Sequence, residues 1–406
     1  MYDIIIIGGG ISGLNCALQL SESHKVLLLD NRDYWGGRII TNKDPQYEIG
    51  AARFNTGHRR LRKLISQYDL GIYKLPKNFD FLHSDSLHIE PNVNLLLDSF
   101  FKKIITISRN FTKKDLQNIT FKTFCNRHVS KNLTDRIINR FGYTSEFEIL
   151  NAYDAIRTFK GDFNGKKQYF IIKRGMSELC NSMIKDIITR GGKIKLNTQI
   201  KSLEKHKDYF RVYGRDCKFL GKKIIFAIKP NQLKEFSYVS PILKELDMVQ
   251  SVPLIRIYAK YTVPSSGPWF KGLRRLTTDS FLRNIIPINE SKGLIMVSYA
   301  DGTDVNSYYK SGKLLKTNKL KTKIHNELKR LFPEKKIPQP TYFKSHLWTE
   351  GVHLWRRGSD SKKIFKILLN PMENIYICGE GFSLNQCWVE GALDTSDKVV
   401  KLLKAH

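Results

Sequence analysis

The chain has 406 residues and a formal net charge of +30, from 68 Lys and Arg against 38 Asp and Glu. Its hydrophobic fraction of 41% and aromatic fraction of 11% indicate a globular protein, and its length suggests two or three domains. Because no run approaches the ~20 apolar residues that span a bilayer, and the first strand begins without a signal-peptide region, we expect a soluble, intracellular, cytoplasmic protein without a membrane span.

The first 30 residues predict a strand, a glycine turn, a helix and a second strand that ends in a carboxylate. Gly8, Gly10 and Gly13 have the G-x-G-x-x-G spacing, which allows a tight turn, close approach to a pyrophosphate and close helix–strand contact. The helix N-terminus, with Ser12 in its first turn, then faces the phosphates. Asp30 ends the second strand, where its carboxylate can accept hydrogen bonds from an adenosine ribose. This stretch predicts a dinucleotide-binding unit, which both NAD and FAD enzymes use.

A second glycine turn, Gly36-Gly37-Arg38, carries a cation that can reach the same pyrophosphate from another side. NAD enzymes have no general need for such a turn, so it favours flavin. The segment from Gly50 to Phe54 then leads into a predicted helix, whose apolar positions are Leu61, Leu64, Ile65 and Tyr68.

The middle of the chain alternates helices with strands. Ser177 is predicted to cap a helix that stops at Gly191-Gly192. A lysine-rich segment at 310–323 contains six lysines and no acid. We interpret it as a solvated helix surface rather than a polyanion-binding face, because no aromatic residues interleave with the lysines. Strands are predicted at 195–200, 209–213, 223–227, 254–261 and 294–299.

The last part of the chain carries two more motifs. A short apolar strand from residue 374 ends in Gly379-Glu380, and Trp388-Val-Glu-Gly-Ala392 then opens a helical pattern. The chain resembles the flavin amine oxidase superfamily in its motifs at both ends. These are GxGxxG, the carboxylate and GGR at the N-terminal end, and GE with WxEGA at the C-terminal end. That superfamily includes monoamine, polyamine and L-amino-acid oxidases.

The resemblance implies FAD as the cofactor and assigns it residues. In the family, the match of Glu380 hydrogen-bonds the ribityl chain, and the match of Ile200 holds the adenine through its backbone. The matches of Gly391 and Ala392 place a helix N-terminus near the flavin pyrimidine, where its N–H groups favour the negative charge of reduced flavin. The residues predicted to bind the cofactor are Gly8, Gly10, Ser12, Gly13, Asp30, Gly37, Arg38, Gly50, Ala51, Ala52, Arg53, Ile200, Gly379, Glu380, Val389, Gly391 and Ala392.

Three residues are predicted to be catalytic: Arg53, Arg256 and Trp388. Trp388 aligns with an aromatic beside the flavin, a Tyr in monoamine oxidases and a Trp in L-amino-acid oxidases; the alternative is core packing. Arg53 lies in a segment similar to the GxxR…H segment of L-amino-acid oxidases, in which the arginine clamps the α-carboxylate by two parallel hydrogen bonds. The alternative for Arg53 is a structural or pyrophosphate partner. Trp348 and Trp355 are candidates for the opposite wall of the substrate site.

The chain departs from the family pattern at three points. Arg256 takes the place of the lysine that in much of the family holds a water on flavin N5, which puts that water and the reaction with oxygen in doubt. No cysteine lies between Trp348 and Ile377, where monoamine oxidases attach the flavin, so FAD is expected to be noncovalent. Ser396 stands where the family often has Gly.

The flavin motifs fall in three separate pieces. Residues 1–75, 165–237 and 345–406 predict a discontinuous α/β FAD-binding domain with a Rossmann-like parallel sheet. Residues 76–164 and 238–344 predict an interleaved α+β substrate-binding domain with a mixed sheet and helices. The six cysteines and ten histidines show no metal-ligand grouping, so we predict reduced thiols and no metal.

The function predicted from the resemblance is an FAD-dependent oxidase of an L-amino acid or a primary amine. It transfers hydride from the carbon bearing the amine to flavin N5, and O2 reoxidises the flavin to give H2O2. Polyamine oxidase is disfavoured by the positive charge. Desaturases and porphyrinogen oxidases share the same FAD pattern and remain open. From another class, a non-catalytic flavin-fold protein would bind nucleic acid or another polyanion through its lysines. The sequence makes no prediction of the oligomeric state.

Overall fold

The computed structural model describes residues 1–162 and 167–405, which divide into two compact units. Unit 1 comprises Met1–Leu75, Gln168–Ser251 and Val352–His406, and unit 2 comprises Pro76–Lys167 and Val252–Gly351. The boundary after residue 251 lies later than the one predicted after residue 237. The reason is that residues 237–242 form a 3₁₀ turn that packs against the strand at 200–205 of unit 1.

The elements are numbered in chain order. The strands are β1 (Tyr2–Ile7), β2 (Val26–Leu29), β3 (Thr41–Asn42), β4 (Tyr47–Glu48), β5 (Phe54–Asn55), β6 (Ile72–Lys74), β7 (Asp80–Leu82), β8 (Ile89–Glu90), β9 (Tyr169–Ile172), β10 (Lys193–Lys195), β11 (Ile200–Lys205), β12 (Phe210–Gly214), β13 (Lys218–Phe226), β14 (Val249–Lys260), β15 (Leu276–Thr278), β16 (Asn284–Asn289), β17 (Leu294–Asp301), β18 (Tyr309–Lys310), β19 (Lys313–Leu314), β20 (Tyr342–Trp355) and β21 (Ile375–Ile377). The α-helices are α1 (Ile11–Leu20), α2 (Arg59–Gln67), α3 (Asn94–Ser108), α4 (Lys113–Gln117), α5 (Phe121–His128), α6 (Lys131–Phe141), α7 (Ser145–Glu148), α8 (Ala152–Asp162), α9 (Ser177–Thr189), α10 (Pro230–Lys234), α11 (Leu243–Asp247), α12 (Thr317–Leu331), α13 (Ser361–Leu369) and α14 (Val389–Lys404).

The main sheet of unit 1 has the strand order β10-β2-β1-β13-β12-β11, and β21 also pairs with β13. β10, β2, β1, β13 and β21 run parallel, and β12 and β11 add an antiparallel edge. β1 lies between β2 and β13, with Ile6 opposite Leu28 and Ile225. Residues 4–7 are all buried, as the continuous apolar run predicts for a strand in a parallel sheet.

One helical layer of unit 1 is formed by α1, α9 and α14, with α1 in contact with both others. Their apolar faces share a core with β1 and β2. In α14 the buried positions Leu393, Ser396, Val400 and Leu403 recur at intervals of three and four residues, so one stripe of this helix faces the core. The layer holds the N-termini of α1 and α14 in fixed positions.

Three local predictions in the middle of the chain need correction. Ser177 is the first residue of α9 rather than its cap, and its hydroxyl accepts the Thr41 N–H at 2.9 Å. The predicted strand 195–200 is two strand ends, because β10 pairs with β2 while β11 pairs with β12. The lysine-rich segment 310–323 is helical only from Thr317, since β18 and β19 form a short hairpin before it.

The main sheet of unit 2 has the strand order β20-β14-β17-β16-β15-β7-β8 and mixes antiparallel pairs with the parallel pair β15–β7. Helix α12 packs on one face, where Leu320, Ile324 and Leu328 share a core with Ile255 and Ile257 of β14. Because side chains alternate along a strand, the residues of β14 that alternate with Ile255 and Ile257 face the other side of the sheet. Arg256 and Tyr258 therefore lie on the face away from α12.

Candidate cofactor and active site

Two glycines in the first turn are required by close packing. Gly8 has φ +112°, a conformation that favours glycine, and a Cβ there would overlap the Ala227 carbonyl. A Cβ on Gly13 would overlap the Gly8 carbonyl oxygen, so α1 lies against the end of β1 with no side chain between them. The G-x-G-x-x-G spacing thus fixes where the helix begins relative to the strand.

The second glycine turn lies directly against the first. The Gly36 N–H donates to the Gly9 carbonyl at 2.9 Å, and a Cβ on Gly37 would come within 3.1 Å of the Gly10 Cα. Gly10 is the N-cap of α1 and provides no side-chain cap, so the amides around Ser12 have no side-chain acceptor. Bare backbone from two turns at an uncapped helix N-terminus fits the pyrophosphate of a dinucleotide.

Asp30 retains capacity for a ribose. Its carboxylate accepts the Gly9 N–H at 2.6 Å and the Arg32 N–H at 2.8 Å. A carboxylate offers about four lone-pair positions, so two remain for hydroxyl groups. The Asp30 carbonyl accepts the Thr198 N–H at 2.8 Å, which brings the start of β11 at Ile200 close to the same carboxylate. This juxtaposition fits an adenosine group.

Glu380 is the most heavily engaged carboxylate of the site. It is 7% exposed and forms an ion pair of 2.8 Å with Arg38 and a contact of 2.7 Å with Nδ1 of His353. Its other oxygen accepts the Cys387 N–H at 2.7 Å. Burial alone raises the pKa of Glu380, but the Arg38 and His353 charges and these hydrogen bonds outweigh it and lower the pKa to about 2. Glu380 is therefore ionised at neutral pH.

The N-terminus of α14 is built tightly on the preceding loop. Trp388 is the N-cap, without a side-chain cap, and Val389 is the first helical residue. A Cβ on Gly391 would overlap the Asn385 carbonyl oxygen, so this glycine lets the loop close over the helix before Ala392. The amides at the start of α14 consequently have no acceptor from the Trp388 side chain, as an anion-binding helix end requires.

Arg53 and Trp388 come together in unit 1. The Arg53 guanidinium lies 6.0 Å from the centroid of the Trp388 ring and 5.4 Å from that of Tyr169. The two rings stack at 6.3 Å with 28° between their planes, and His58 packs edge-on against Trp388 at 4.7 Å. The Ala51 N–H donates to the Arg38 carbonyl at 3.0 Å, which ties the segment from Gly50 through Ala52 to the second glycine turn. The Arg53 guanidinium therefore lies beside both aromatic rings, within the range of a cation–π contact.

Arg256 lies in unit 2, directly opposite Tyr299 in the pairing of β14 with β17. Its guanidinium is buried 4.5 Å from the centroid of the Tyr299 ring. Burial opposes the charge, but the neighbouring tyrosines, Tyr299 first, raise the pKa of Arg256 above its ordinary value. On the same face, burial, aided by Lys344 and Arg256, lowers the pKa of His346 to about 4. Arg256 is therefore a permanent cation, and His346 is neutral at neutral pH.

The remaining predicted residues differ in their surroundings. Trp355 is fully buried, with its indole N–H donating to the Ser383 carbonyl at 2.9 Å, so the structure excludes it as a wall of the substrate site. Trp348 is half-buried and stays a candidate. Ser396 accepts a hydrogen bond of 2.8 Å from the Asn15 amide, so its hydroxyl has a dedicated partner on α1.

Sequence reasoning missed three residues of this site: His353, Tyr169 and Asn15. His353 and Tyr169 lie in no motif, and only the fold brings them to Glu380 and Trp388. Asn15 carried a weak signal, because it is an amide on the buried face of an apolar helix, where a hydrogen-bond partner is required.

Comparison with known proteins decides the family. Residues 11–403 match the model of the flavin containing amine oxidoreductases. The chain belongs to this family. This match confirms the predicted family, the FAD cofactor and the oxidoreductase class.

Individual relatives are distant. The amine oxidoreductase is 22% identical over 337 residues to 15-cis-phytoene desaturase of Capsicum annuum, covering 70% of the chain but only 56% of that relative. It is 23% identical to a probable flavin-containing monoamine oxidase A of Dictyostelium discoideum, covering 67% of each. It is 40% identical to amine oxidase A of Equus caballus, but only over 82 residues, which cover 19% of the chain and 16% of that relative.

Among solved structures, wild-type putrescine oxidase bound to putrescine superposes with a TM-score of 0.80. The match covers 100% of this chain and 99% of that one at 15% identity, and so confirms the predicted fold.

Two other features are absent from the described part of the chain. Across residues 1–162 and 167–405, no three His, Cys, Asp or Glu side chains group as a possible metal site. Within those same ranges, no helix combines the length and apolarity that crossing a membrane requires.

Proposed function

We propose that this chain is an FAD-dependent oxidase of an L-α-amino acid or another primary amine, with the amino acid preferred. When bound, FAD would supply the acceptor for hydride from the amine-bearing carbon, which leaves an imine that hydrolyses, and O2 would reoxidise the cofactor to give H2O2. The two glycine turns, Asp30 and the N-terminus of α14 are proposed to hold the cofactor noncovalently. The protein's own contribution is then to bind and orient the amine and to exclude water.

The observation that carries the proposal is the arrangement of Arg53 against Tyr169 and Trp388. A planar guanidinium can bind a carboxylate by two parallel hydrogen bonds, and stacking on aromatic faces keeps its plane fixed. An amino acid held by its carboxylate at Arg53 would place its α-carbon beside the aromatic pair. Arg53 and Trp388 are 335 positions apart in the chain, so only the fold brings them together.

Local charge weighs against a polyamine substrate. Putrescine, which the structural neighbour binds, is a diamine, and a permanent cation beside the aromatic pair repels a dication. The net charge of +30 acts in the same direction. A zwitterionic amino acid experiences little net force. The second candidate is oxidation of a carbon–carbon bond, which the similarity to phytoene desaturases favours.

Arg256 is proposed to take the place of the lysine that holds a water at the flavin in much of the family. Its stacking on Tyr299 supports a fixed guanidinium, whereas a lysine amine at the same position would be mobile. Arg256→Lys is expected to change the rate of reoxidation by O2 more than the rate of anaerobic flavin reduction.

The proposed function is tested with a panel of L-amino acids, monoamines and polyamines, each assayed for anaerobic flavin bleaching and for H2O2 in air. Arg53→Lys keeps the charge but loses one of two charged hydrogen bonds, so kcat/KM for the best amino acid should fall roughly 10- to 100-fold. The rate with a monoamine of the same side chain should change little. Arg59→Gln, an exposed arginine six residues on, serves as the control for a general effect of charge.

Three results would count against the proposal. Unchanged amino-acid kinetics in Arg53→Lys would remove the carboxylate argument. Turnover of polyamines alone would favour a polyamine oxidase. Failure of every amine to bleach the bound flavin would favour a desaturase, or a polyanion-binding protein whose affinity for nucleic acid falls steeply with salt.

A further inference from the structure

The hydrogen-bonding capacity of the Glu380 carboxylate is already filled by protein groups. Arg38 and Nδ1 of His353 share one oxygen, at 2.8 and 2.7 Å. The other oxygen accepts the Cys387 N–H at 2.7 Å and the His353 backbone N–H at 3.4 Å. A carboxylate has about four lone-pair positions, so these four donors leave none for a cofactor hydroxyl. This conflicts with the ribityl contact that the family resemblance implies.

The protonation of His353 follows from the same geometry. An ionised carboxylate only accepts hydrogen bonds, so Nδ1 of His353 must carry the proton that it shares with Glu380. The imidazole is fully buried in β20, and its Nδ1 also lies 3.3 Å from a guanidinium nitrogen of Arg38. Arg38 then approaches the carboxylate from the side of the second glycine turn. Glu380 therefore joins two parts of unit 1 that are far apart in sequence.

A third part is attached through Cys387. This residue has φ +68°, a left-handed conformation that is strained for a non-glycine residue, and its N–H donates to Glu380. The next residue is Trp388, the N-cap of α14. The surrounding loop is also tied to the end of β20, because Gln386 accepts the Trp355 N–H at 2.9 Å. The orientation of Trp388 and of the α14 N-terminus thus depends on the Glu380 carboxylate.

We propose that Glu380 is a positioning residue rather than a direct ligand of the ribityl chain, and that His353 sets its orientation. Through Arg38 it aligns the cation of the second glycine turn, and through Cys387 it aligns Trp388 and the start of α14. The inference concerns cofactor binding and requires no substrate, so it is tested separately from the proposed oxidase function.

The test compares variants by the Kd of FAD for the apoprotein and by the visible circular dichroism of the bound flavin. His353→Leu removes the donor to Glu380, and both readouts should change, with affinity falling about tenfold or more. His353→Asn, whose amide can donate from nearly the position of Nδ1, should recover most of the loss. Glu373→Gln, an exposed carboxylate just before β21, is the matched control and should match the wild type.

Glu380→Gln gives a second, independent readout. The amide keeps an acceptor for a hydroxyl, but it sets an N–H₂ group against the donors of Arg38 or His353, so we expect FAD affinity to fall and the dichroism to change. Cys387→Gly holds φ +68° without strain. Combined with Glu380→Gln, it should restore part of the wild-type dichroism.

The proposal is overturned if His353→Leu binds FAD with wild-type affinity and dichroism, because the ribityl contact would then be independent of His353. If His353→Leu does not fold, the decision rests on Cys387→Gly in the Glu380→Gln background. Absence of any recovery there would mean that Glu380 acts on the cofactor directly.

Discussion

Ser396 should stabilise this chain more than the glycine that the family often has at the same position, because its hydroxyl forms hydrogen bonds. The Asn15 amide on α1 donates to Ser396 Oγ and to the Asp397 carboxylate, each at 2.8 Å, and Ser396 Oγ donates to the Leu393 carbonyl at 2.9 Å. Asn15 and Ser396 are both buried. The pair therefore joins α1 and α14, the two helices whose N-termini are proposed to bind the cofactor.

The cost of removing the hydroxyl can be worked out from these contacts. Ser396→Ala leaves one buried N–H of Asn15 without its acceptor, which costs about 1–3 kcal/mol, while Ala gains about 0.5 kcal/mol of helix propensity. The net loss in the free energy of unfolding should be about 1.5 kcal/mol. Ser396→Gly should cost about 1 kcal/mol more than Ser396→Ala, because Gly has a lower helix propensity, so the total loss of unfolding free energy should be about 2–3 kcal/mol.

A double-mutant cycle isolates the interaction. In an Asn15→Ala background, Ser396→Ala should cost close to nothing, because the donor that needs the hydroxyl is gone. Urea unfolding followed by far-ultraviolet circular dichroism measures each corner, at one fixed FAD concentration because ligand binding itself shifts stability. Ser182→Ala on α9 is the control, since its hydroxyl donates to the Glu178 carbonyl of its own helix at 3.0 Å. An equal cost of Ser396→Ala with and without Asn15 would refute the argument.

Two further predictions concern a pair of glycines and one buried acid. Gly13→Ala would force a Cβ onto the Gly8 carbonyl oxygen and should cost about 1–3 kcal/mol or more, whereas Gly10→Ala, whose nearest neighbour is the Gly37 Cα at 4.0 Å, should keep stability and lose FAD affinity. Thermal unfolding of the two apoproteins and FAD titration check this, and equal Tm values would contradict it. Burial raises the pKa of Asp301 from 3.8 to about 6, despite hydrogen bonds from Ser145 and Thr144. The native state then binds a proton more tightly than the unfolded state, so stability should rise as pH falls from 7 through 6 towards 4, by about 3 kcal/mol at most. Asp301→Asn should remove this dependence; a wild-type pH profile in that variant would contradict the assignment.

The sequence by itself determined the cofactor unit, because its requirements are local. Gly8 must adopt a positive φ, and Gly13 must touch the carbonyl five residues before it, so their spacing is visible without any fold. Asp30 directly follows β2, which pairs with β1, so the strand pairing leaves Asp30 little freedom. The motifs at residues 379–392 belong to one short strand, one loop and one helix, and so were also recognisable from the chain alone.

Only the tertiary structure decided which partners these residues have. Glu380 obtains its donors from positions 38, 353 and 387, and nothing in the local sequence around His353 indicates that it faces a carboxylate. The hydroxyl of Ser396 looked like a departure until Asn15 supplied its donor from the other end of the chain. Side-chain hydrogen bonds and ring contacts form between residues hundreds of positions apart, because folding rather than spacing brings them within about 3 Å of each other. For that reason the sequence identified the cofactor, while the assignment of Glu380 to positioning required the assembled fold.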